Sequence, residues 1–336
     1  MQKRYWGNRG ASMLRFSPTS GIALRASEFQ FVVTGASGWL GRALLDMLAG
    51  VYGAQLEQHV VLCGSKTREI SVRQGIRLTI HRLEDALALL NDRPIILFHF
   101  AFLTKDQVVG MPEQAYVAQN RGISDAVAAV IGDRRVAGVF LASSGAVYDY
   151  LGSSNRDASA NVYGRLKAED EDRFVEICSM VGTRLIAPRI FNISGPYINK
   201  LETYALSSII VDVLRGGPIG LRANRRVWRS YMYVGDLLEL AVRVLLKDSD
   251  IIDPCFDTVG SEAVELGELA ERVRLVMHCP GVRIDRPELA DLPDDCYIGN
   301  VDALRPMLKE HGVTLLPLEE QIARTAAYIR RWRGAA

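Results

Sequence analysis

The chain has 336 residues, 49% of them hydrophobic and 24% charged, with a formal net charge of +1 at pH 7. Such a chain can bury the core of one large domain or two ordinary ones, and its balanced charge excludes an electrostatic nucleic-acid binder. Five scattered cysteines (Cys63, Cys178, Cys255, Cys279, Cys296) form no CxxC pair or zinc spacing, which argues for no metal and a reducing, cytoplasmic setting, and no apolar run nears the roughly 18–20 residues of a membrane span.

Residues 1–28 read as a basic N-terminal extension carrying Lys3, Arg4, Arg9, Arg15 and Arg25. They lack the apolar h-region of a signal peptide and suit a tail or an added edge element better. From Phe29 the pattern changes. Phe31-Val32-Val33-Thr34 is an apolar strand, Gly35-Ala36-Ser37-Gly38-Trp39-Leu40-Gly41 is a glycine-spaced turn, and Leu40, Leu44, Leu45 and Leu48 mark a helix. Strand, glycine turn and helix in that order are what a dinucleotide-binding loop needs. Gly35 allows the tight turn, Gly38 lets backbone approach a pyrophosphate, and Gly41 lets helix and strand pack closely. The helix N-terminus, with Ser37, Trp39 and Leu40, offers N–H groups to phosphate.

His59–Cys63 is a second strand. Where a carboxylate would bind both adenosine ribose hydroxyls, the chain has Gly64-Ser65-Lys66-Thr67-Arg68, read as a loop in which Ser65, Lys66 and Arg68 can hold a 2′-phosphate. NADP(H) is therefore the expected cofactor, with NAD(H) possible. Arg77–Ile80 is a third strand and Glu84–Asn91 a short helix. Pro94–Phe102 is a continuously apolar fourth strand, and His99, Phe100 and Ala101 lie at its carboxyl end, where ligands bind in open α/β sheets. Glu113–Ile131 is an amphipathic helix containing Asn120. Val136–Ala142 is a fifth strand running into Ser143 and Ser144, whose hydroxyls fall over the cofactor crevice, followed by Gly145. Asp149–Asn161, small and polar, reads as a loop.

From Tyr163 the chain turns helical, and Tyr163 and Lys167 lie one turn apart on one face. An ammonium beside a phenol lowers the phenol's pKa, so Tyr163 can exchange a proton with a substrate oxygen that Ser144 orients. Further on, Leu206–Leu214, Gly235–Leu246 and Leu266–Met277 have helical periodicity, Gly216–Leu221 is a turn into a strand, and Pro280–Pro293 is a connection.

Taken together, Thr34-Gly35-x-x-Gly38-x-x-Gly41, His99-x-Ala101, Asn120, Ser143-Ser144-x-x-Val147-Tyr148, Tyr163-x-x-x-Lys167, Arg189-Ile190-Phe191-Asn192-x-x-Gly195-Pro196 and Arg229-Ser230-Tyr231-x-x-Val234-x-Asp236 resemble the extended short-chain dehydrogenase/reductase family, in its nucleotide-sugar epimerase/dehydratase/reductase group. The resemblance runs from about Glu28 to Trp332. It implies a Rossmann-type α/β fold, a doubly wound parallel sheet, with an NAD(P)-binding domain at 29–190 and a smaller α/β substrate lobe at 191–332 from which some segments return to the first domain. It implies Tyr163 as general acid/base, Lys167 on the nicotinamide ribose, Ser144 polarising the substrate oxygen, Ile190 near the cofactor, His99 and Gly145 near the substrate, Asn192 on the sugar or its diphosphate, and Arg229 on the diphosphate. It also implies a homodimer through a bundle of the Tyr163 and Glu113–Ile131 helices.

Three positions depart from the family pattern. Gly145-Ala146 replace the Asp-Glu pair that assists water elimination, which argues against a 4,6-dehydratase. Gly64 replaces the acidic residue after the second strand, and Arg82 replaces the usual Asp after the third. The reading is an NADPH-dependent reductase of a keto group on a nucleotide-activated sugar. Its rivals are a nucleotide-sugar epimerase with tightly held NAD, a non-catalytic NADP(H)-sensing protein, and a reductase of non-sugar carbonyls.

Overall fold

The computed structural model describes residues 14–104, 106, 110–152, 161–247 and 253–334. The chain divides into two compact units: Met1–Ile190 with Leu238–Phe256, and Phe191–Leu237 with Asp257–Ala336.

The first unit is built on a mostly parallel sheet. Its central strands β1 (Gln30–Thr34) and β5 (Ile95–His99) are buried along their whole length, as expected of strands covered on both faces. β2 (Val60–Gly64) flanks β1 on one side, and β6 (Val136–Leu141) and β8 (Arg184–Ile190) follow β5 on the other. With β3 (Arg68–Ser71), β4 (Arg77–Arg82) and β13 (Cys255–Asp257), the order is β13-β8-β6-β5-β1-β2-β4-β3. The order reverses direction at β1, leaving a crevice between the carboxyl ends of β1 and β5. There Thr34 sits beside His99, and His99 beside Leu141. The two-residue strand β7 (Ser143–Ser144) continues the line and pairs with Arg189 and Ile190.

Helices α2 (Trp39–Tyr52), α3 (Glu113–Ile131) and α5 (Val162–Val181) belong to this unit. Val32, Leu97, Val127, Val139, Phe174 and Leu185 share one core cluster, which ties α3 and α5 to the strands. Three segments differ from the sequence reading. Arg68 is not in a loop but starts β3, an edge strand antiparallel to β4; its four residues, two exposed, one buried and one intermediate, carry no periodic signal. The Glu84–Asn91 helix is a 3-10 helix at Leu83–Leu89. The loop expected at Asp149–Asn161 begins later, because α4 (Ala146–Leu151) runs through Asp149 to Leu151; residues 153–160 lie outside the described residues.

Within residues 1–28, helix α1 (Pro18–Ala26) starts at Ser17, whose side chain accepts from Ser20 N. Glu239 fastens it: the carboxylate accepts from Ser17 Oγ (2.7 Å), Ser17 N (3.1 Å) and Ser20 Oγ (2.6 Å), and pairs with Arg243 (2.7 Å). Glu239 lies on α7 (Val234–Leu246), whose residues from Leu238 belong to the first unit.

In the second unit, α6 (Ala205–Arg215), α8 (Leu266–Val276) and α10 (Leu318–Gly334) pack on one another. Short strands accompany them: β9 (Ile193–Ser194) with β12 (Met232–Tyr233), β10 (Ile219–Gly220) with β15 (Ile284–Asp285), and β11 (Val227–Ser230) between β14 (Ala263–Glu265) and β16 (Asp295–Tyr297). A strand thus falls inside the expected Pro280–Pro293 connection. The remaining helix is α9 (Leu304–Glu310). Gln321 locks α10 to the strands, accepting from Ser194 Oγ at 2.6 Å and donating to Tyr231 O at 3.0 Å.

Candidate active site

The glycine turn has the shape its sequence requires. Gly35 has φ +68°, and a Cβ there would stand 2.7 Å from Ala101 N. A Cβ at Gly41 would stand 2.6 Å from Ala36 Cα, so only glycine lets α2 seat on the strand end. Gly38 is the N-cap of α2 and closes the turn with a 2.9 Å bond to Gly35 O; no side chain caps the helix. An uncapped N-terminus at the carboxyl edge of a parallel sheet, with Ser37 exposed, Leu40 half-buried and Trp39 buried around it, fits a dinucleotide diphosphate.

Thr34 and Asn120 hold the chain after β5. Thr34 accepts from Phe100 N with its carbonyl (3.3 Å) and from Ala101 N with its hydroxyl (3.2 Å), and shares a 2.7 Å bond with His99 Nδ1. Asn120 is buried and accepts from Leu103 N at 2.8 Å. His99 is 2% exposed, with its ring edge-on to Phe174 at 5.8 Å. Burial, aided by Lys167, lowers its pKa to about 3, so it is a neutral support beneath the crevice. Its Nδ1 shares its bond with Thr34.

The carboxyl end of β2 is bare of acid. A Cβ at Gly64 would meet Ile80 Cγ2 at 3.0 Å, so a carboxylate could enter only if Ile80 moved. Ser65 and Lys66 are exposed beyond it. Arg68, from β3, donates to Ser37 Oγ at 2.6 Å, which brings its guanidinium onto the glycine turn.

Ser144, Tyr163 and Lys167 come together in the first unit. Ser144 accepts from Ala146 N at 3.2 Å and is hydrogen-bonded to the Tyr163 phenol. Gly145 N donates to Ile190 O at 3.1 Å, which fixes the serine segment on β8. Asn161 caps α5 by accepting from Gly164 N, so the helix begins with Tyr163 in its first turn. Lys167 is 5% exposed, donates to Ala142 O at 2.7 Å, and has its Nζ 3.7 Å over the Phe102 ring. Phe102 also meets the Tyr163 ring edge-on at 5.6 Å. The electrostatics differ from the sequence reading. Burial raises the Tyr163 phenol above its ordinary pKa against the Ser144 bond, and Lys167 is not what sets it. Burial also draws Lys167 down to about 8, against the pull of Asp170 and Glu171.

Sequence reasoning passed over the support of this segment. Arg189 grips Glu171 through three contacts of 2.7–3.1 Å and donates to Tyr148 OH at 2.9 Å, and Ser143 donates to the same carboxylate. A signal existed in the four-residue spacing of Tyr163, Lys167 and Glu171, and in an arginine inside an apolar strand.

In the second unit, Asn192 donates to Tyr297 O at 3.2 Å. Arg229 is paired with Asp295 on the neighbouring strand (3.1 and 3.2 Å), with its guanidinium 5.9 Å from the centre of the Tyr297 ring. The same unit has a cavity of about 680 Å³, lined by Asp212, Arg215, Leu221, Arg222, Asp285 and Arg286 among others. Among the described residues no His/Cys/Asp/Glu group could hold a metal, and no helix is long and apolar enough to cross a membrane.

The model of the NAD dependent epimerase/dehydratase family matches residues 31–254. The chain belongs to this family. Within the epimerase/dehydratase family it is 25% identical over 278 residues to a dTDP-4-keto-6-deoxy-D-glucose reductase from Streptomyces niveus, covering 74% of this chain and 88% of that protein. The UDP-N-acetylglucosamine 4-epimerase of Methanobrevibacter ruminantium M1 superposes with a TM-score of 0.68 at 19% identity, covering 91% of this chain and 99% of that one. The UDP-glucuronic acid 4-epimerase of Bacillus cereus, solved with UDP-glucuronic acid and NAD, gives 0.66 at 15% identity, covering 90% and 99%. These structures share the Rossmann-type fold of this epimerase/dehydratase family member.

Proposed function

We propose that the protein reduces the keto group of a nucleotide-diphosphate sugar, with NADPH as the preferred cofactor. The observation that carries this reading is the meeting of Ser144, Tyr163 and Lys167 at the carboxyl edge of the sheet. The same phenol serves a reductase and an epimerase, and what favours the reductase is the bare end of β2, which suits NADPH. A bound nicotinamide would supply the hydride. Tyr163 would give its proton to the carbonyl oxygen, Ser144 would hold that oxygen and, through its bond to the phenol, ease the loss of the proton, and Lys167 would bond the ribose. Holding donor and acceptor in one geometry supplies a large part of the rate.

Gly35, Ser37, Gly38, Trp39, Leu40 and Gly41 would cradle the diphosphate, with Phe100, Ala101, Asn120 and Ile190 shaping the rest of the cofactor site. Ser65, Lys66 and Arg68 would take the 2′-phosphate, a reading supported by the bare end of β2 and by Arg68 on the glycine turn. Gly145 and Asn192 would contact the sugar. Arg229 would hold the diphosphate, exchanging the half-exposed Asp295 for a phosphate at little cost. The second unit's cavity has room for a nucleoside.

Two measurements test this. Nucleotide released from the denatured protein is identified by mass spectrometry; stoichiometric NAD⁺ would favour an epimerase and sink the NADPH assignment, and an empty site that binds NADPH more tightly than NADH supports it. Tyr163→Phe and Lys167→Ala should keep cofactor binding and lose about 10²–10⁴-fold in turnover of a keto-sugar nucleotide; full activity in either refutes the chemistry.

A further inference from the structure

Beneath Lys167, α5 carries two carboxylates that the proposed chemistry does not use, Asp170 and Glu171, three and four residues on and so on the Lys167 side of the helix. Their situations differ. Glu171 is spent on Arg189 and Ser143. Asp170 is 6% exposed; its Oδ1 accepts from Ser124 Oγ of α3 at 2.6 Å, and its Oδ2 is buried with no hydrogen-bond partner among the described residues. Arg173, one turn further, is turned to Asp125 at 2.7 Å.

A buried carboxylate oxygen without a partner is costly unless a nearby cation compensates it. Lys167 is the stronger of two such cations, ahead of Arg173. Burial disfavours the charge of Lys167, whereas the Ala142 carbonyl, the face of Phe102 and the Glu171 carboxylate favour it; His99, from β5, is neutral and bonded to Thr34. Tyr163 on the preceding turn is a neutral phenol, and Arg189 from β8 is held by Glu171. Burial raises the Asp170 carboxyl and Lys167 lowers it again, while Asp170 is the largest influence opposing the downward pull of burial on Lys167.

We propose that Asp170 is a positioning residue that keeps Lys167 charged, through a buried carboxylate one helical turn from the lysine, oriented by Ser124 and with one oxygen unpartnered among the described residues. The lysine thereby presents an ammonium to the phenol and to a ribose hydroxyl at neutral pH. The consequence for turnover rests on the reductase reading; the charge on Lys167 does not.

The test is a ¹³C NMR titration of protein carrying ¹³C at lysine Cε, with the Lys167 signal assigned by its loss in Lys167→Met. The Asp170→Asn variant should titrate Lys167 about one pH unit lower than the parent protein. Ser124→Ala, which removes the bond orienting the carboxylate, should move it the same way by less. An unchanged midpoint in Asp170→Asn overturns the proposal, and so does an unchanged midpoint in Ser124→Ala should the first variant fail to fold. Where the midpoint moves, the alkaline limb of the turnover profile should move with it. A moved midpoint with an unmoved limb would refute the role of Lys167 in the reductase chemistry and leave the assignment of Asp170 standing.

Discussion

His99 shows how burial decides what a residue does. In sequence it is a histidine at a strand end, where ligands bind; in the fold it is 2% exposed and bonded to Thr34, which in turn holds Phe100 and Ala101. Its pKa falls from 6.5 to about 3. The unfolded chain therefore takes up a proton as pH drops below about 6.5, while the folded chain does not until about 3. Stability is intact above the unfolded value and is lost as pH falls, at about 1.4 kcal/mol per unit across that window. Urea unfolding between about pH 6 and 4 should show this slope, and His99→Gln, which cannot protonate, should flatten it. An equal slope in the variant would mean that other groups carry the acid sensitivity.

At the scale of elements, α1 is the least expected part. Its helix is short, and its moderate amphipathicity gives no reason to form alone. It is held from outside, by Glu239 reaching Ser17 and Ser20, by Tyr52 donating to Leu24 O at 2.9 Å, and by Arg73, which pairs with buried Asp46 and donates to Leu14 O at 2.7 Å. Glu239→Ala would leave Arg243 without its carboxylate and α1 without its anchor. A loss of about 2–3 kcal/mol is expected, read as a lowered denaturation midpoint with early proteolysis near residues 14–28. Unchanged protease resistance would show that Tyr52 and Arg73 suffice. The Ser143–Ser144 segment is fixed in a comparable way, by Glu171 and Arg189 from two other elements.

At the scale of the whole molecule, the family resemblance implies a homodimer through α3 and α5. Both helices lie in the first unit, and α5 exposes Val175, Met180 and Val181 on its outer turns. Light scattering on the purified protein should give twice the chain mass, and Val175→Asp with Met180→Asp should halve it. A monomeric parent protein would remove the analogy.

Much was legible from local pattern alone. β1, the glycine turn, α2, the apolar β5 and α3 announce themselves because each depends on residues adjacent in the chain, and periodicity and glycine spacing are properties of short windows. The Tyr163–Lys167 pair is legible for the same reason, since one helical turn fixes their relation. What only the tertiary structure decided depends on partners far away in sequence. It put Arg68 in an edge strand and onto Ser37, gave His99 to Thr34, set Arg229 against Asp295, and raised Tyr163 where a neighbouring lysine alone would have lowered it. Burial and long-range pairing set the charge of a group, and neither is contained in any short stretch of the chain.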